Sequence, residues 1–395
     1  MFFHHIMISA AISFIPIGQA SAAQIPTPWD APRFHDKGPL QYSASLESLY
    51  QWDSNVRHQA ADGKSDHIAV VRPVLAARVT GPEDSYVSAL FQLEGERFAD
   101  TIELTTLNHL ADVRAKLGAR HGYLMASELY LRTNDRTNTV FADRVRREEN
   151  TVRAGVGAIL LDWKPEFNVE FFKRLYSDPT LPGYTAYTLE PRLIWEKNER
   201  NQGTLSARWE HLLYPETTAR DGNVYEGRAA WAYASAGSGV WLNANAGLQR
   251  RIYRGPGITG YFGPIGEGNA RYVPRDRIAL TAGYSWSLQE APLEPPSAYY
   301  RQHALNAGVE YKTGDRLSSR LSQSLISQLY GDNTRQSDFS GQRRDTTVST
   351  AFTETYRLNE HTSLSGNFSW EERRSNTNSQ GYHGFIVSFG CKFEI

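Results

Sequence analysis

The chain has a single cysteine, Cys391, in 395 residues. That excludes an intrachain disulfide and any cysteine metal cluster. Beyond Ile17 it has no long apolar run, which excludes a bundle of membrane-spanning helices. Neither sign of charge dominates: 42 Lys and Arg face 43 Asp and Glu, a formal net charge of -1. Bulk charge therefore gives no argument for a nucleic-acid partner. Catalytic signatures are missing too: no Gly-x-Ser-x-Gly, no Ser-x-x-Lys with its partner motifs, no His-Glu-x-x-His and no P-loop. No cofactor and no metal site is expected.

Aromatic residues are plentiful. The chain carries 21 Tyr, 17 Phe and 9 Trp although its mean hydropathy is low. Polar bulk composition with many aromatics suits secreted β-proteins and outer-membrane barrels. At the N-terminus an apolar run from Ile6 to Ile17 precedes Ala20-Ser-Ala22, the pattern of a secretory signal peptide, here 1–22, although its first residues offer only His4 and His5 as bases. Residues 23–39 are rich in proline and read as a periplasmic lead-in. An exported chain without disulfides needs another source of stability, and a closed hydrogen-bonded barrel over 40–395 supplies one.

From Leu40 onward apolar and polar residues alternate, the period of a β-strand with one greasy and one wet face. Leu40, Tyr42, Ala44, Leu46, Tyr50 and Trp52 share one face; Leu107, Ala111, Val113, Ala115 and Leu117 share another; Leu242, Ala244, Ala246 and Leu248 a third. His109, His211 and His303 fall on such outward rows. The stretches 66–80, 122–134 and 166–177 are apolar on both faces and leave their phase open. The strands run roughly 10–15 residues, beyond the usual 5–6 of soluble proteins and enough for the ~9–11 that a tilted membrane crossing needs.

Connection lengths alternate as well. Short turns at 81–84, 118–122, 162–165, 197–202, 236–239, 313–315 and 358–361 are interleaved with longer polar segments at 57–65, 132–147, 214–222, 331–343 and 373–380. Short periplasmic turns and longer external loops are the habit of outer-membrane barrels. A first pass finds seventeen strands, which would put the termini on opposite sides of the membrane. Reading Pro264–Val273 as a further strand, ended by a tight turn at Pro274-Arg-Asp276, gives eighteen and both termini in the periplasm of a Gram-negative bacterium. Sixteen is the alternative if two weak strands fail. The expected fold is an all-β, up-and-down antiparallel transmembrane barrel.

The last strand, 381–395, shows Phe385, Val387, Phe389, Phe393 and Ile395 on its lipid face, with Cys391 as a small apolar member. It is expected to pair with Leu40–Trp52 and close the edge. The inward rows hold Glu94, Asp112, Arg114, Lys116, Arg153, Glu190, Arg192, Arg208, Glu210, Glu226, Arg228, Arg277, Glu310, Lys312 and Arg320. Pairing of opposite signs across strands would keep a wide hydrated lumen open, and the same groups could trade weak contacts with a polar solute. The loops, such as Asn134-Asp-Arg-Thr-Asn138 and Asp332-Asn-Thr-Arg-Gln336, have the composition of solvated segments and equally of sites for calcium, lipopolysaccharide phosphates or sugars. The Gly/Pro/aromatic segment 254–268 is a candidate constriction or lid.

Tyr50-Gln-Trp52-Asp-Ser-Asn55, Asp66-His-Ile-Ala-Val-Val-Arg-Pro73, Arg250-Arg-Ile-Tyr253 and Phe262-Gly-Pro264, with the closing amphipathic strand, resemble the outer-membrane β-barrel porins found with exopolysaccharide-synthesis genes. Ile395 departs from the usual final aromatic. The resemblance implies a barrel that helps a secreted polysaccharide across the outer membrane, recognised by the barrel-assembly machinery through its last strand. Its partners would be outer-membrane lipids, lipopolysaccharide, the polysaccharide and periplasmic export components. It supplies no catalytic residues. A diffusion or uptake porin for small polar solutes or oligosaccharides is the second reading. A barrel enzyme acting on lipid or sugar is the third.

Overall fold

The computed structural model describes residues 35–395, apart from 59–62, 135–144, 180, 199, 236–238, 257, 259, 291–298, 331–333, 337–338 and 377–380, and apart from the side chains of 35–37 and 331–341. The expected signal peptide and residues 23–34 of the lead-in lie outside the described residues.

Eighteen long strands form the wall: β1 Leu40–Asp53, β2 Asp66–Thr80, β3 Tyr86–Phe98, β4 Thr106–Ala119, β5 Gly122–Thr133, β6 Arg147–Ala158, β7 Trp163–Tyr176, β8 Tyr184–Asn198 and β9 Asn201–Leu213 make up the first half. The second half is β10 Gly222–Ala234, β11 Val240–Tyr253, β12 Tyr261–Arg275, β13 Ile278–Glu290, β14 Tyr299–Thr313, β15 Leu317–Tyr330, β16 Arg344–Arg357, β17 Thr362–Ser375 and β18 Tyr382–Glu394. Each pairs antiparallel with its chain neighbours, and β18 pairs with β1, from Ser45 opposite Glu394 to Asp53 opposite Ile386. The sheet has no open edge. Among the described residues no helix is long and apolar enough to cross a membrane.

β12 contains the stretch Pro264–Val273, so eighteen is the count. It begins earlier, at Tyr261, which corrects the reading of 254–268 as a lid: its second half is wall. Of the described remainder, Arg254 and Gly255 donate backbone hydrogen bonds to Asp221 and Ala219, outside the lumen wall. The lead-in also differs at its end. His35–Lys37 forms a three-residue strand opposite Leu40–Tyr42, folded back over Gly38 at φ 68°, a conformation open to a residue without a side chain.

The connections keep strict parity. At one end they run from two residues (120–121, 276–277) to five (81–85, 235–239); at the other from six (376–381) to thirteen (134–146, 331–343). Strand tilt follows from register. A single hydrogen-bonded row on the outward face starts at Tyr42 near the short-turn end of β1. It climbs through Ala77, Ala89, Val113, Glu128, Val152, Phe171 and Tyr187 to His211 near the long-loop end of β9. Summed around the barrel, such registers give a shear of about 22 residues, a tilt of roughly 40° and a diameter of about 35 Å.

The outward rows are those the alternation indicates, including Leu205, Trp209, Leu248, Leu305, Phe389 and Phe393, all exposed on the outer surface. The ambiguous strands resolve through their outer ends. On β2, Ile68 and Val70 point inward but are buried with Val56, Phe98 and Leu104 beneath the connections that follow β1 and β3. On β7, inward Phe172 packs on the cluster of Ala186, Leu212, Tyr214 and Val224. Loops cover the inner face at these outer ends, whereas on β3 and β5 Leu90 and Leu129 face inward at mid-depth, in one row with Asp112.

Candidate functional site: the charged lumen and its outer mouth

A period of two places residues i and i+2 on one face, close enough for an arginine to reach a carboxylate on its own strand. That is how most lumenal charges pair. Asp112 takes Arg114 at 2.5 Å and Glu190 takes Arg192 at 2.6 Å. Arg208 with Glu210, and Arg228 with Glu226, pair in the same way. Glu310 lies 4.0 Å from Lys312, and Glu394 3.7 Å from Lys392. Away from the long-loop end, cross-strand pairing, expected as the rule, is found in a few bridges: Arg153 with Glu170, Lys164 with Glu196, and Arg72 with Glu47 and Glu94 together. The spacing acid-x-base is the signal that reveals the same-strand pairs in the sequence.

Lys116 stands 4.8 Å above the Tyr123 ring instead of beside an acid. Arg320 faces the lumen opposite Glu310. Arg277 does not belong to the wall: it lies exposed in the turn between β12 and β13, because β12 ends at Arg275. The remaining lumenal residues named from sequence occupy the inner face, and Phe385, Val387, Phe389, Phe393 and Ile395 the outer one.

Within these pairs the two partners are not equally placed. The Arg228 side chain is 29% exposed and Glu226 5%; Arg153 31% and Glu170 11%; Arg114 41% and Asp112 18%. Arg72, Arg208, Lys312 and Lys392 likewise extend past their acids, while Arg192 and Lys164 do not. The short carboxylates stay at the wall and the long bases reach over them, as long cationic side chains do elsewhere. A nearly neutral lining thereby presents cations to the water.

The long-loop end carries a second pattern: one carboxylate shared by two arginines, three times. Glu149 takes Arg147 at 2.8 Å and Arg174 at 3.0 Å. Glu290 takes Arg251, with Arg220 at 3.9 Å, and accepts hydrogen bonds from the Tyr214 and Tyr253 hydroxyls at 2.9 and 3.2 Å. Asp345 takes Arg343 at 2.8 Å and also Arg373. Arg147, Arg220, Arg343 and Arg373 are essentially buried. Aromatic faces cover several of them: Tyr214 lies under Arg220 at 4.8 Å and Tyr330 under Arg343 at 4.5 Å. Burial, with the Glu290 charge beside it, pushes the Tyr214 hydroxyl well up, so it stays a neutral donor.

At β1–β3 the mouth gathers buried acids. Asp53 and Asp66, cross-strand partners on β1 and β2, are both buried, and Glu96 on β3 with them. Asp66 accepts from the backbone amides of Ala99, Asp100 and Thr101 at 3.1, 3.0 and 2.6 Å, and from the Thr101 hydroxyl. Among the described residues no cluster of three or more His, Cys, Asp or Glu is placed to hold a metal ion.

These features define the class: a closed eighteen-stranded antiparallel β-barrel of the outer-membrane kind. Residues 210–395, from β9 through β18, match the family model described as "Putative beta-barrel porin 2". No curated protein matches the sequence. In structure the chain is similar to OccAB3 of Acinetobacter baumannii, with a TM-score of 0.52 at 9% identity, covering 90% of this chain and 99% of that one. OpdQ of Pseudomonas aeruginosa gives 0.53 at 8%, over 91% and 99% of the two chains; OpdO of the same organism gives 0.51 at 11%, over 90% and 97%. At such identities the likeness is one of fold.

Proposed function

We propose that this barrel is a passive outer-membrane channel for anionic, hydroxyl-rich solutes, and that its cargo is a secreted acidic polysaccharide. The observation that carries the reading is the placement of bases ahead of acids along the lumen, reinforced by the three arginine-rich clusters at the mouth. Exposed arginines and lysines would attract carboxylates while offering several weak, exchangeable contacts, which suits passage better than capture. Buried arginines at the mouth would act through their field, not by touch. The porin-family match over β9–β18 favours transport over catalysis. Both termini would face the periplasm, and the Phe385–Ile395 row would be read by the assembly machinery.

Planar-bilayer recording across a salt gradient tests the channel: reversal potentials should show anion preference. Cation preference would overturn it. Deleting the gene tests the cargo: surface or secreted acidic polysaccharide should fall. If polysaccharide is unchanged while uptake of small organic anions drops, the small-solute reading replaces it.

A further inference from the structure

Glu128 faces outward. It lies on the same row as Tyr42 and His211, fifth of the nine residues that climb from the short-turn end to the long-loop end, and is exposed. A carboxylate is thereby held at the mid-depth of the surface that lipid would cover. Its one described partner is the Asn150 amide at 3.2 Å, also on the outward face. Toward the outer rim the polarity continues with Arg132 and Glu148, 3.5 Å apart, and Lys173, the cross-strand neighbour of Asn150.

In the same sector five consecutive strands lack an outward aromatic near the short-turn end, whereas elsewhere no two neighbouring strands both lack one. Near the short-turn end, outward aromatics mark a belt: Tyr42 on β1, Trp163, Trp195 and Trp231 on β7, β8 and β10, then Tyr272, Tyr311, Tyr356 and Phe393 on β12, β14, β16 and β18. On β2–β6 the corresponding residues are Val79, Val87, Leu117, Leu124 and Val156. Aromatic girdles mark where a barrel meets the lipid–water interface. Above the gap small residues, Ala89, Ala111, Ala126 and Ala154, alternate outward with larger ones, Leu75, Phe91 and Tyr130.

We propose that β2–β6 form the contact between copies of this chain in the outer membrane, with Glu128 and Asn150 at its centre. A second copy is the occupant the surface fits. The patch carries two acids, Glu128 and Glu148, and two bases, Arg132 and Lys173, so it complements itself. Closed symmetry about an axis along the membrane normal sets each depth against the same depth, so one copy's Asn150 amide meets another's Glu128 carboxylate. Five tilted strands over an apolar band ~25 Å tall offer about 800 Å² per partner, the size of a standard stable interface.

The test uses the full-length protein with Cys391→Ser. Ala154→Cys in intact outer membranes, treated with a short thiol-bridging reagent, should give a species at a whole multiple of the mass of the single processed chain. Ala307→Cys, outward on the far wall, should stay single. Light scattering in mild detergent should find the oligomer in the parent and single chains for Glu128→Lys, with the folded, heat-modifiable barrel retained in both. A folded parent that is one chain at every concentration overturns the proposal, as does an Ala154→Cys cross-link formed only with a protein of another mass. If Glu128→Lys fails to insert, the cross-link decides alone.

Discussion

Ala44 and Ile395 exchange both of their backbone hydrogen bonds, at 3.0 and 2.8 Å. The seam of the barrel therefore runs from Asp53 opposite Ile386 to Ala44 opposite Ile395. Phe393 sits inside this seam, between Leu46 and Thr362.

Removal of residues 393–395 should prevent closure, because β1 would lose its partners at Ala44, Ser45 and Leu46. The heat-modifiable band should vanish and the protein should disappear from outer-membrane fractions. Phe393→Asp should lower the level, since it replaces an outward belt aromatic inside the seam with a charge that the lipid face disfavours. Phe393→Tyr should be harmless. Normal levels of the truncated chain would show that the seam is dispensable.

The architecture was legible because two periodic signals agreed: alternation fixed each strand's outward row, and connection parity fixed their number. That is how Pro264–Val273, weak by composition, was counted. What stayed hidden was held by contacts across the fold. Ile68, Val70 and Phe172 blur their strands because loops bury the outer ends of those inner faces. Glu128 lies in a stretch of uncertain phase, so its outward position needed the register to β4 and β6. In the clusters at Glu149 and Asp345 local spacing announces only Arg147 and Arg343; Arg174, Arg373 and every partner of Glu290 come from other parts of the chain, Tyr214 from 76 positions away.

Asp66 should govern the connection between β3 and β4. It alone gathers the amides of Ala99, Asp100 and Thr101 together with the Thr101 hydroxyl. Asp66→Ala removes the acceptor from the two buried Thr101 donors, at about 1–3 kcal/mol for each left unsatisfied, and from the more exposed Ala99 and Asp100 amides. Hydrogen exchange at Ala99–Thr101 should accelerate at least tenfold while strand amides in β9–β14 stay protected. Unchanged exchange at those three amides would refute the clamp.

Asp345 should be among the most costly single substitutions in the barrel. Asp345→Asn leaves Arg343 and Arg373 buried without their shared carboxylate, and breaking a buried pair from one side costs about 3–5 kcal/mol. The temperature at which the folded band unfolds in detergent should drop clearly. Glu360→Gln, at the exposed short-turn end, should leave it in place. Equal melting of the two variants would mean the arginine cluster does not anchor the mouth.

Arg228 and Glu226 offer a test of the lumen in which the two partners should act in opposite directions. They share a face of β10, with the guanidinium in the water and the carboxylate at the wall. Arg228→Gln removes the exposed cation and uncovers an acid that Gln249 still hydrogen-bonds at 2.6 Å, so anion preference should weaken. Glu226→Gln removes the screened acid and leaves the cation, so anion preference should strengthen. A charge exposed to lumenal water interacts with a passing ion at roughly 1 kcal/mol or less, so each shift should be a few-fold at most in permeability ratio. It should shrink as salt rises, because the Debye length falls to ~3 Å at 1 M. Reversal potentials in dilute and concentrated salt read both effects. If the two variants move selectivity the same way, the pair acts through the shape of the pore and not through which partner faces the water.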